Sequence, residues 1–347
     1  MRAAIFHAPG DIRVEDVPDP TVQEPTDAVV RVTLACVCGS DLWYWRGLSP
    51  HDHSGIGHEA IGVVQAVGSA VTTVREGDLV VVPFAFSDGT CPNCRNGVQT
   101  ACWHGGFFGA GEGLGGQAEC LRVPQADGTL VKVPAGRYDD ATLRSLLTLS
   151  DVMGTGHHAL MLAYAKPGDT VGVVGDGAVG LSAVLAAKRL GASRVIALSR
   201  NPARQALARA FGATDIVVER GEAAVEAVLA LTGGVGVDAA AECVGTNESM
   251  TTALGIARAG GMVGAVGVPH DVDVPIGALF SRNRGIKGGG APVRAYLPDL
   301  MEDVLGGRID PGRVFDFETD LGHIADAYAA MDERRAIKSL VRVGPAS

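Results

Sequence analysis

The sequence predicts an α/β protein with a β-rich domain followed by a doubly wound parallel sheet. Three observations support this prediction. The 347 residues are more than one hydrophobic core usually organises, so two domains are favoured. Residues 1–150 contain short β-type runs separated by Gly, Pro and Asp. From 151 to 290, β-type runs alternate with helical patterns around a glycine-rich turn.

The strands and helices can be located from their apolar patterns. An antiparallel barrel or sandwich is predicted in the first domain, from β-type runs at 2–6, 28–36, 60–67, 79–83, 117–123 and 130–133. Strands of the second domain are predicted at 171–174, 195–198, 216–218, 237–243 and 262–267. Asn201 and Pro202 mark the start of a helix. The remaining chain is predicted to form helices over 293–305 and 324–332 and a last strand over 337–343.

A glycine motif with the spacing G-x-G-x-x-G follows the first strand of the second domain, at Gly175, Gly177 and Gly180. An amphipathic helix and a second strand come after it, all within about 30 residues. Such glycines let backbone N–H groups approach a pyrophosphate, and the helix N-terminus adds partial positive charge. A chance match is the alternative, because 48 of the 347 residues are glycine. The strand–turn–helix–strand order favours a dinucleotide site that includes Ala178 and Val179.

The end of the second strand of this domain predicts the type of dinucleotide. NAD enzymes place a carboxylate there to accept a hydrogen bond from the ribose 2′-OH. Here the position is Ser199, and Arg200 follows it. A serine can donate to a 2′-phosphate and an arginine can bind it with two N–H groups, with Arg204 one turn further as a helper. The alternative is an exposed arginine that opens a surface helix. The missing carboxylate favours NADP(H).

Charge and composition exclude several classes of partner. The formal net charge is −10 and no basic block stands out, so neither nucleic acid nor an anionic membrane surface is predicted to bind. There is no run of about 18 apolar residues, and the N-terminus lacks the apolar stretch of a signal peptide. A cytoplasmic chain is therefore predicted. Its seven cysteines then indicate metal or core positions rather than disulfides.

Two groups of potential metal ligands lie in the first domain. The first combines Cys38 with the pair His58-Glu59, twenty residues later. A thiolate, an imidazole and a carboxylate are good zinc ligands, and a catalytic zinc needs three protein ligands and an open position. A core cysteine and a loop histidine are the alternative, which this group alone does not exclude.

The second group is a C-x-x-C motif, Cys91 and Cys94, with Cys102 eight residues further along. In a Gly/Pro-rich loop of a cytosolic chain this motif points to zinc more than to redox chemistry. Three thiolates leave a tetrahedral site one ligand short, and Asp88 can supply an oxygen. A zinc-free loop with unligated thiols is the alternative.

Together these segments resemble the zinc-dependent medium-chain alcohol dehydrogenases, and especially their bacterial NADP-type secondary alcohol branch. The resemblance rests on C-x-S-D at 38–41, G-H-E-x-x-G at 57–62 and the Ser-Arg pair after the second strand. It implies a GroES-like catalytic domain over 1–150, a Rossmann cofactor domain over 151–290 and a return to the catalytic domain over 291–347. It also implies a homo-oligomer, either a dimer or a tetramer.

The resemblance implies roles for individual residues as well. In the secondary alcohol branch the third zinc ligand is an aspartate in a segment like SDVMGTGHHAL, which is Asp151 here. Zinc held by Cys38, His58 and Asp151 is then a Lewis acid for the substrate oxygen. Further implied roles are an exchangeable or outer ligand for Glu59, proton transfer for Ser40 and orientation of His58 for Asp41. The predicted cofactor site also takes in Val266, Gly267 and Lys338.

The sequence departs from relatives at two places. The position of the relay histidine in liver-type enzymes is Trp43, so the proton leaves by another route. His51 or His53 could serve, although exposed loop histidines are the favoured interpretation of both. Relatives carry four cysteines in the second metal group, whereas this chain has Asp88 in the first place. Some members have lost that metal altogether.

The function predicted is hydride transfer between NADP(H) and a small alcohol with its ketone or aldehyde. A polyol or formaldehyde-type dehydrogenase is the alternative enzyme, but an apolar pocket is favoured if it is lined by the aromatic residues Trp43, Trp45, Phe84, Phe86 and Trp103. A non-catalytic protein that binds zinc and NADPH is the alternative from another class. The acidic charge argues against a zinc-ribbon protein that binds nucleic acid.

Overall fold

The computed structural model describes residues 1–110 and 115–344. Its backbone divides into two compact units. The first contains Met1–Asp151 and the described chain from Pro292 onward, and the second contains Val152–Ala291. Over the described ranges, no helix has both the length and the apolar character needed to cross a membrane.

The strands are numbered in chain order. They are β1 (Arg2–Ala8), β2 (Asp11–Asp16), β3 (Ala28–Cys36), β4 (Ala60–Val67), β5 (Leu79–Val82), β6 (Ala85–Phe86), β7 (Gly106–Phe107), β8 (Cys120–Val123), β9 (Val131–Lys132), β10 (Thr170–Val174), β11 (Arg194–Leu198), β12 (Asp215–Val217), β13 (Val237–Glu242), β14 (Ala257–Ala265), β15 (Gly285–Gly288), β16 (Phe315–Asp320) and β17 (Lys338–Arg342).

The α-helices are numbered in the same way. They are α1 (Asp41–Trp45), α2 (Pro92–Arg95), α3 (Ala126–Thr129), α4 (Asp140–Thr148), α5 (Val152–Leu162), α6 (Ala178–Arg189), α7 (Pro202–Phe211), α8 (Gly221–Leu231), α9 (Asn247–Ile256), α10 (Ile276–Phe280), α11 (Val293–Leu305) and α12 (Ile324–Asp332).

A seven-stranded sheet forms the centre of the first unit. Six strands follow the order β16-β17-β3-β4-β5-β9, and β8 also pairs with β3. Neighbouring strands are antiparallel except for β16 and β17, which run parallel. Eight of the nine residues of β3 are buried, because this central strand is covered on both faces. A hairpin of β1 and β2 and a small pair of β6 and β7 complete the β-structure described in this unit.

The second unit is a parallel sheet with the strand order β12-β11-β10-β13-β14-β15. This is the order of a doubly wound dinucleotide-binding fold, which places ligands at the carboxyl ends of the strands. Residues at the two ends of α7 show how the local sequence determines where a helix of this unit begins and ends. Asn201 caps that helix by accepting hydrogen bonds from the N–H groups of Ala203 and Arg204, and Gly212 ends it in the left-handed conformation, at φ 117°.

The predicted fold class is confirmed, and the predicted spans of β3, β4, α11 and α12 agree with the structure. Other boundaries differ. The run predicted at 117–123 forms a strand only from Cys120, and the one predicted at 262–267 begins at Ala257 and ends at Ala265. Five of the described strands were not predicted: the two-residue strands β6 and β7, and the longer strands β2, β15 and β16. The last three differ from the predicted strands in composition. Their sequences are polar or glycine-rich, so they form strands because a neighbouring strand supplies hydrogen bonds, not because of propensity.

Candidate active site

The first group of metal ligands lies at one end of the strands β3 and β4 in the first unit. Cys38 comes two residues after β3, and His58 and Glu59 come directly before β4. Because β3 and β4 are antiparallel neighbours, the end of one lies beside the start of the other. Asp151 follows α4 and is 113 residues from Cys38 in sequence. Chain segments that are far apart in sequence therefore meet at this point.

The ligand atoms of Cys38, His58, Glu59 and Asp151 all lie within 4.8 Å of one another. Cys38 Sγ is 3.5 Å from Asp151 Oδ2, and His58 Nε2 is 3.3 Å from the same oxygen. Tetrahedral zinc, with bonds of about 2.0–2.3 Å, separates neighbouring donor atoms by roughly 3.3–3.8 Å. The thiol, imidazole and carboxylate are thus spaced as zinc requires, and these residues fit that metal.

A buried aspartate lies beside the imidazole of His58. His58 Nδ1 is 3.2 Å from Asp41 Oδ1, while Asp41 Oδ2 accepts a hydrogen bond from the N–H of Cys38 at 3.0 Å. Asp41 is 1% exposed. This contact leaves Nε2 of His58 facing Asp151. The preceding Gly57 has φ +88°, and a Cβ there would lie 2.4 Å from Cγ of Gln117, so a larger residue does not fit.

The charges in this group act on one another strongly. Burial lowers the pKa of His58, but the negative charges of Asp41 and Cys38 outweigh it and raise that pKa well above its usual value. Burial raises the pKa of the Cys38 thiol, and the charge of Asp151 adds to the effect. Because metal ligands must lose their protons, a bound cation would displace these protons.

Glu59 is completely buried beside the same group. Its Oε1 accepts a hydrogen bond from Lys338 Nζ at 2.6 Å, whereas Oε2 has no hydrogen-bond partner among the described residues. A buried carboxylate oxygen without a partner is costly, and a nearby cation would supply one. Lys338 was predicted to contact the cofactor. Its ammonium is buried and bonded to Glu59 and to the carbonyl of Val37 at 3.1 Å, so it lies with the metal ligands.

The residues considered for proton transfer lie near Cys38 in sequence. Ser40 is half-buried at the N-cap of α1, and its hydroxyl makes no capping hydrogen bond. Trp43 lies on the same helix. His51, expected to be an exposed loop residue, is half-buried instead, since its ring contacts Tyr44 at 4.7 Å and its Nε2 lies 2.9 Å from the carbonyl oxygen of Gly109.

Among the aromatic residues considered for the substrate pocket, Phe84 lies beside a metal ligand. The ring of Phe84 is 6.2 Å from that of His58 and stacks on Phe107. Trp45 packs against Tyr328 instead. Phe86 packs on Phe108, and Trp103 is 66% exposed.

The second group of metal ligands also comes together. One ligand atom from each of Asp88, Cys91, Cys94 and Cys102 lies within 4.8 Å of the others. Cys91 Sγ and Cys102 Sγ are 3.8 Å apart, and the N–H of Asp88 points to Cys102 Sγ at 3.2 Å. Oδ1 of Asp88 accepts the N–H of Cys91 at 2.9 Å, and Oδ2 lies 2.6 Å from Nδ1 of His104. Three thiols and an aspartate fit a closed zinc site, and no sequence motif points to His104.

The glycine turn of the second unit lies between β10 and α6, as predicted. Gly177 is the N-cap of α6 with no side-chain cap, and a Cβ there would have nothing within 4 Å. Gly180 is packed closely, since a Cβ there would lie 2.1 Å from the carbonyl oxygen of Gly175. Open space at the start of a helix of 12 residues, with first-turn N–H groups that no side chain caps, fits a pyrophosphate. Ala178 and Val179, the first two residues of α6, lie at this helix N-terminus.

The three residues predicted to read the adenosine ribose differ in their surroundings. Arg200 is exposed. Ser199 is 4% exposed and its hydroxyl donates to Asp176 Oδ2 at 2.8 Å. Arg204 is 7% exposed, and its Nη1 lies 3.2 Å from the carbonyl oxygen and 3.3 Å from Oδ1 of Asp176. Asp176 was not predicted to be a site residue, although its place inside the glycine motif is a signal for it.

Val266 and Gly267 follow β14 at the carboxyl edge of the same sheet. Their N–H groups donate to the carbonyl oxygen of Glu242, at 2.9 and 3.2 Å, and this residue ends β13. A Cβ on Gly267 would lie 2.2 Å from the nitrogen of Gly245. Both residues thus lie on the edge of the sheet where dinucleotides bind in this fold.

A β-rich unit with a thiol–imidazole–carboxylate group and a parallel α/β unit with a dinucleotide turn define the class of metal-dependent dehydrogenases. Comparison with known families agrees with this class. The pattern described as an alcohol dehydrogenase GroES-like domain matches residues 24–135, and the pattern of a zinc-binding dehydrogenase matches residues 178–304. The chain belongs to the zinc-dependent medium-chain alcohol dehydrogenase family.

Individual relatives cover nearly the whole chain. A probable zinc-binding alcohol dehydrogenase of Mycobacterium tuberculosis is 38% identical over 339 residues, which cover 96% of this chain and 86% of the relative. The crystal structure of the alcohol dehydrogenase TADH from Thermus sp. ATN1 is similar with a TM-score of 0.92 at 34% identity, covering 99% and 100% of the two chains. A putative zinc-binding dehydrogenase of Sinorhizobium meliloti bound to NADP has a TM-score of 0.81 at 26% identity, covering 98% of each chain.

Proposed function

We propose that this zinc-dependent alcohol dehydrogenase interconverts a small alcohol with its ketone or aldehyde and uses NADP(H). The observation that supports the reaction best is the convergence of Cys38 Sγ, His58 Nε2 and Asp151 Oδ2. These three residues would hold the catalytic zinc, with Glu59 as an exchangeable fourth ligand. The second zinc would be held by Asp88, Cys91, Cys94 and Cys102 and would stabilise the fold.

The reaction needs a hydride acceptor and a proton acceptor. When bound, zinc supplies Lewis acidity at the substrate oxygen. Oxidation of the alcohol moves a hydride from its carbon to the nicotinamide of NADP⁺ and releases the hydroxyl proton. Ser40, two residues after Cys38, is the group proposed to relay this proton: its hydroxyl accepts the proton and passes its own on toward solvent. Asp41 holds Nδ1 of His58, which keeps Nε2 available as a ligand.

The preference for NADP(H) is proposed from the end of β11. There is no carboxylate at Ser199 or Arg200, where NAD enzymes place one. The guanidinium of Arg200 is exposed and can meet a 2′-phosphate. One charged hydrogen bond contributes about 1.5–3 kcal/mol, which is roughly tenfold or more in affinity. We further propose that the enzyme is a homo-oligomer, a dimer or a tetramer.

A substrate panel tests the proposed function. Secondary and primary alcohols, polyols and formaldehyde would be compared by kcat/KM with each cofactor, using the nicotinamide absorbance. The best substrate is expected to be a small apolar alcohol or its carbonyl, because the ring of Phe84 lies beside His58. A panel in which only polyols or formaldehyde react would support the alternative dehydrogenase, and no turnover with any substrate by the zinc-loaded protein would refute the function.

A pair of arginine variants tests the cofactor. Arg200→Ala should lower kcat/KM for NADPH roughly tenfold or more and leave NADH unchanged. Arg137→Ala, at an exposed arginine of the first unit, is the control and should change neither. Equal or better use of NADH than of NADPH by the unmodified enzyme would refute the NADP(H) preference.

A further inference from the structure

We propose that Asp176 determines how strongly the enzyme discriminates between NADPH and NADH. Asp176 is the residue between the first two glycines of the turn. Its carboxylate occupies Ser199 and Arg204, the same donors that were predicted to bind the 2′-phosphate. The inference deepens the proposed function and rests on its assignment of the cofactor site.

The contacts of Asp176 resemble those of a bound phosphate. Oδ2 accepts the hydroxyl proton of Ser199 at 2.8 Å, and Oδ1 lies 3.3 Å from Nη1 of Arg204. The backbone carbonyl oxygen of Asp176 is 3.2 Å from the same Nη1. Ser199 and Arg204 are both less than a tenth exposed, so their donor groups have little access to water that could replace the carboxylate. The carboxylate of Asp176 is therefore already paired with the hydroxyl of Ser199 and with Nη1 of Arg204.

The position of this carboxylate decides its effect on each cofactor. Ser199 directly follows β11, at the place where this fold binds the 2′-position of the ribose. Asp176 Oδ2 accepts the hydrogen bond of the Ser199 hydroxyl, so the carboxylate lies next to that place. The 2′-hydroxyl of NADH can donate to such a carboxylate. The 2′-phosphate of NADPH must instead compete with it for Ser199 and Arg204 and is repelled by its charge. Asp176 therefore favours NADH, and the exposed Arg200 favours NADPH.

The isosteric variant Asp176→Asn tests this opposition. It should bind NADPH about tenfold more tightly than the unmodified enzyme and NADH several-fold more weakly, with dissociation constants measured by quenching of tryptophan fluorescence or by calorimetry. The ratio of kcat/KM values should shift in the same direction. Glu226→Gln, at an exposed carboxylate on α8, is the matched control and should leave both cofactors unaffected.

The outcomes separate this inference from the proposed function. The cofactor preference of the unmodified enzyme tests the function, whereas the shift between it and Asp176→Asn tests the inference, whichever cofactor is preferred at the start. The dissociation constants are measured without substrate, so they can be obtained even for a variant that has lost turnover. An unchanged or opposite ratio in a folded Asp176→Asn protein would overturn the role of Asp176. If that variant does not fold, Asp176→Ser is subject to the same criterion.

The geometry of the first unit also points to a third metal site, formed by His7, Glu15 and His53. One ligand atom from each of them lies within 4.8 Å of the others. His7 Nε2 is 2.5 Å from Glu15 Oε1, and the rings of His7 and His53 have centroids 4.2 Å apart. Two imidazoles and a carboxylate are a ligand set for divalent zinc, and the imidazoles also suit nickel and copper.

The backbone holds these three residues together before any metal binds. His7 and Glu15 belong to the paired strands β1 and β2, and His7 sits where their register shifts, between Phe6 and Ala8. The N–H of Phe6 donates to the carbonyl oxygen of Ser54 at 3.0 Å, which joins the loop of His53 to β1. A cation here would link that loop to the hairpin.

Calorimetric titration with Ni²⁺ of protein that carries two zinc ions per chain, one for each of the two sites proposed above, tests this site. One further ion per chain is expected to bind, with affinity at least tenfold weaker in His53→Ala and in Glu15→Gln. His323→Ala is the matched control, because His323 is also exposed and also paired with a carboxylate, Asp320, at 2.9 Å. Absence of further binding, or equal binding in His53→Ala and His323→Ala, would overturn this site.

Discussion

Lys338 Nζ lies 2.6 Å from Glu59 Oε1, and neither side chain is more than 1% exposed. The two residues are 279 positions apart, so this ion pair joins β17 to the segment that carries His58. Burial alone would lower the pKa of Lys338, but its interactions with Cys36 and Glu59 raise it well above its usual value. The ammonium thus stays charged beside the metal ligands.

Removal of this lysine should destabilise the protein. Lys338→Met leaves the carboxylate of Glu59 buried without its partner, which costs about 3–5 kcal/mol of unfolding free energy. The double variant Lys338→Met/Glu59→Gln should recover part of that loss, because the remaining charge is gone. Chemical unfolding monitored by circular dichroism measures both. Lys132→Met, at a more exposed pair with Asp78, is the control and should cost less than about 1 kcal/mol. Equal losses in both lysine variants would contradict the argument.

Loss of the thiol of Cys38 should remove one zinc and the activity together. Lewis acidity at the substrate oxygen provides several kcal/mol of transition-state stabilisation, which is on the order of 10²–10⁴ in rate. Elemental analysis of Cys38→Ser and its kcat measure the two effects. Cys120→Ser is the control, since Cys120 lies in β8 and outside both groups of ligands. An active Cys38→Ser enzyme that lacks this zinc would rule out the proposed catalytic site.

The second zinc should stabilise the enzyme without taking part in the reaction. Thiolate ligation couples metal binding to folding, so Cys94→Ser should lose one zinc and unfold several degrees lower in a thermal scan. At a temperature where it is folded, its kcat should remain within about twofold of the unmodified enzyme. If enzyme purified without chelators contains a single zinc per chain, the second site is not occupied and this prediction is wrong.

Asp41 should act on the metal through His58. In Asp41→Asn the carboxylate that contacts Nδ1 is replaced by an amide, so the imidazole is oriented less well. Loss of such an outer partner typically weakens metal binding or activity by about 10–100-fold. Competition with a chelator measures the zinc affinity. Asp52→Asn, at an exposed residue of the following loop, is the control and should behave as the unmodified protein. Unchanged affinity in Asp41→Asn would contradict the role.

His158 on α5 should make the stability of the second unit depend on pH. Burial, with a smaller contribution from the positive charge of Lys287, lowers the pKa of His158 to about 4 from its ordinary value of 6.5. The unfolded chain therefore binds more protons between these values, so stability is lost as the pH falls through this window. Between pH 7 and 5 the unmodified protein should lose about 1–2 kcal/mol more than His158→Asn.

A second histidine provides the control for this pH effect. The pKa of the exposed His323 is raised by its hydrogen bond to Asp320, so its small contribution to stability is present at low pH and is lost as the pH rises. His323→Asn should therefore not reproduce the effect of His158→Asn. Identical pH dependence of the unmodified protein and His158→Asn, followed by chemical unfolding at each pH, would contradict the prediction.

Elements of the second unit that depend on neighbouring residues could be predicted from the sequence, and their interactions explain why. The glycine turn, α6 and β11 are consecutive in sequence, and the cap at Asn201 joins residues two and three positions apart. Patterns of this kind fall inside one window of sequence, so periodicity and glycine spacing are enough to predict them. The strands β15 and β16 were missed because Gly285–Gly288 and Phe315–Asp320 become strands only through their neighbours.

The sequence by itself determined the kinds of ligand and the glycine turn, because residue type and local spacing define both. The tertiary structure alone decided which of these residues meet. It brought Asp151 to Cys38 across 113 positions and turned Lys338 toward Glu59. It also joined Asp176 to Ser199 and Arg204. The physical reason is that such contacts depend on the pairing of strands and on the burial of charge, and both are properties of the folded chain as a whole.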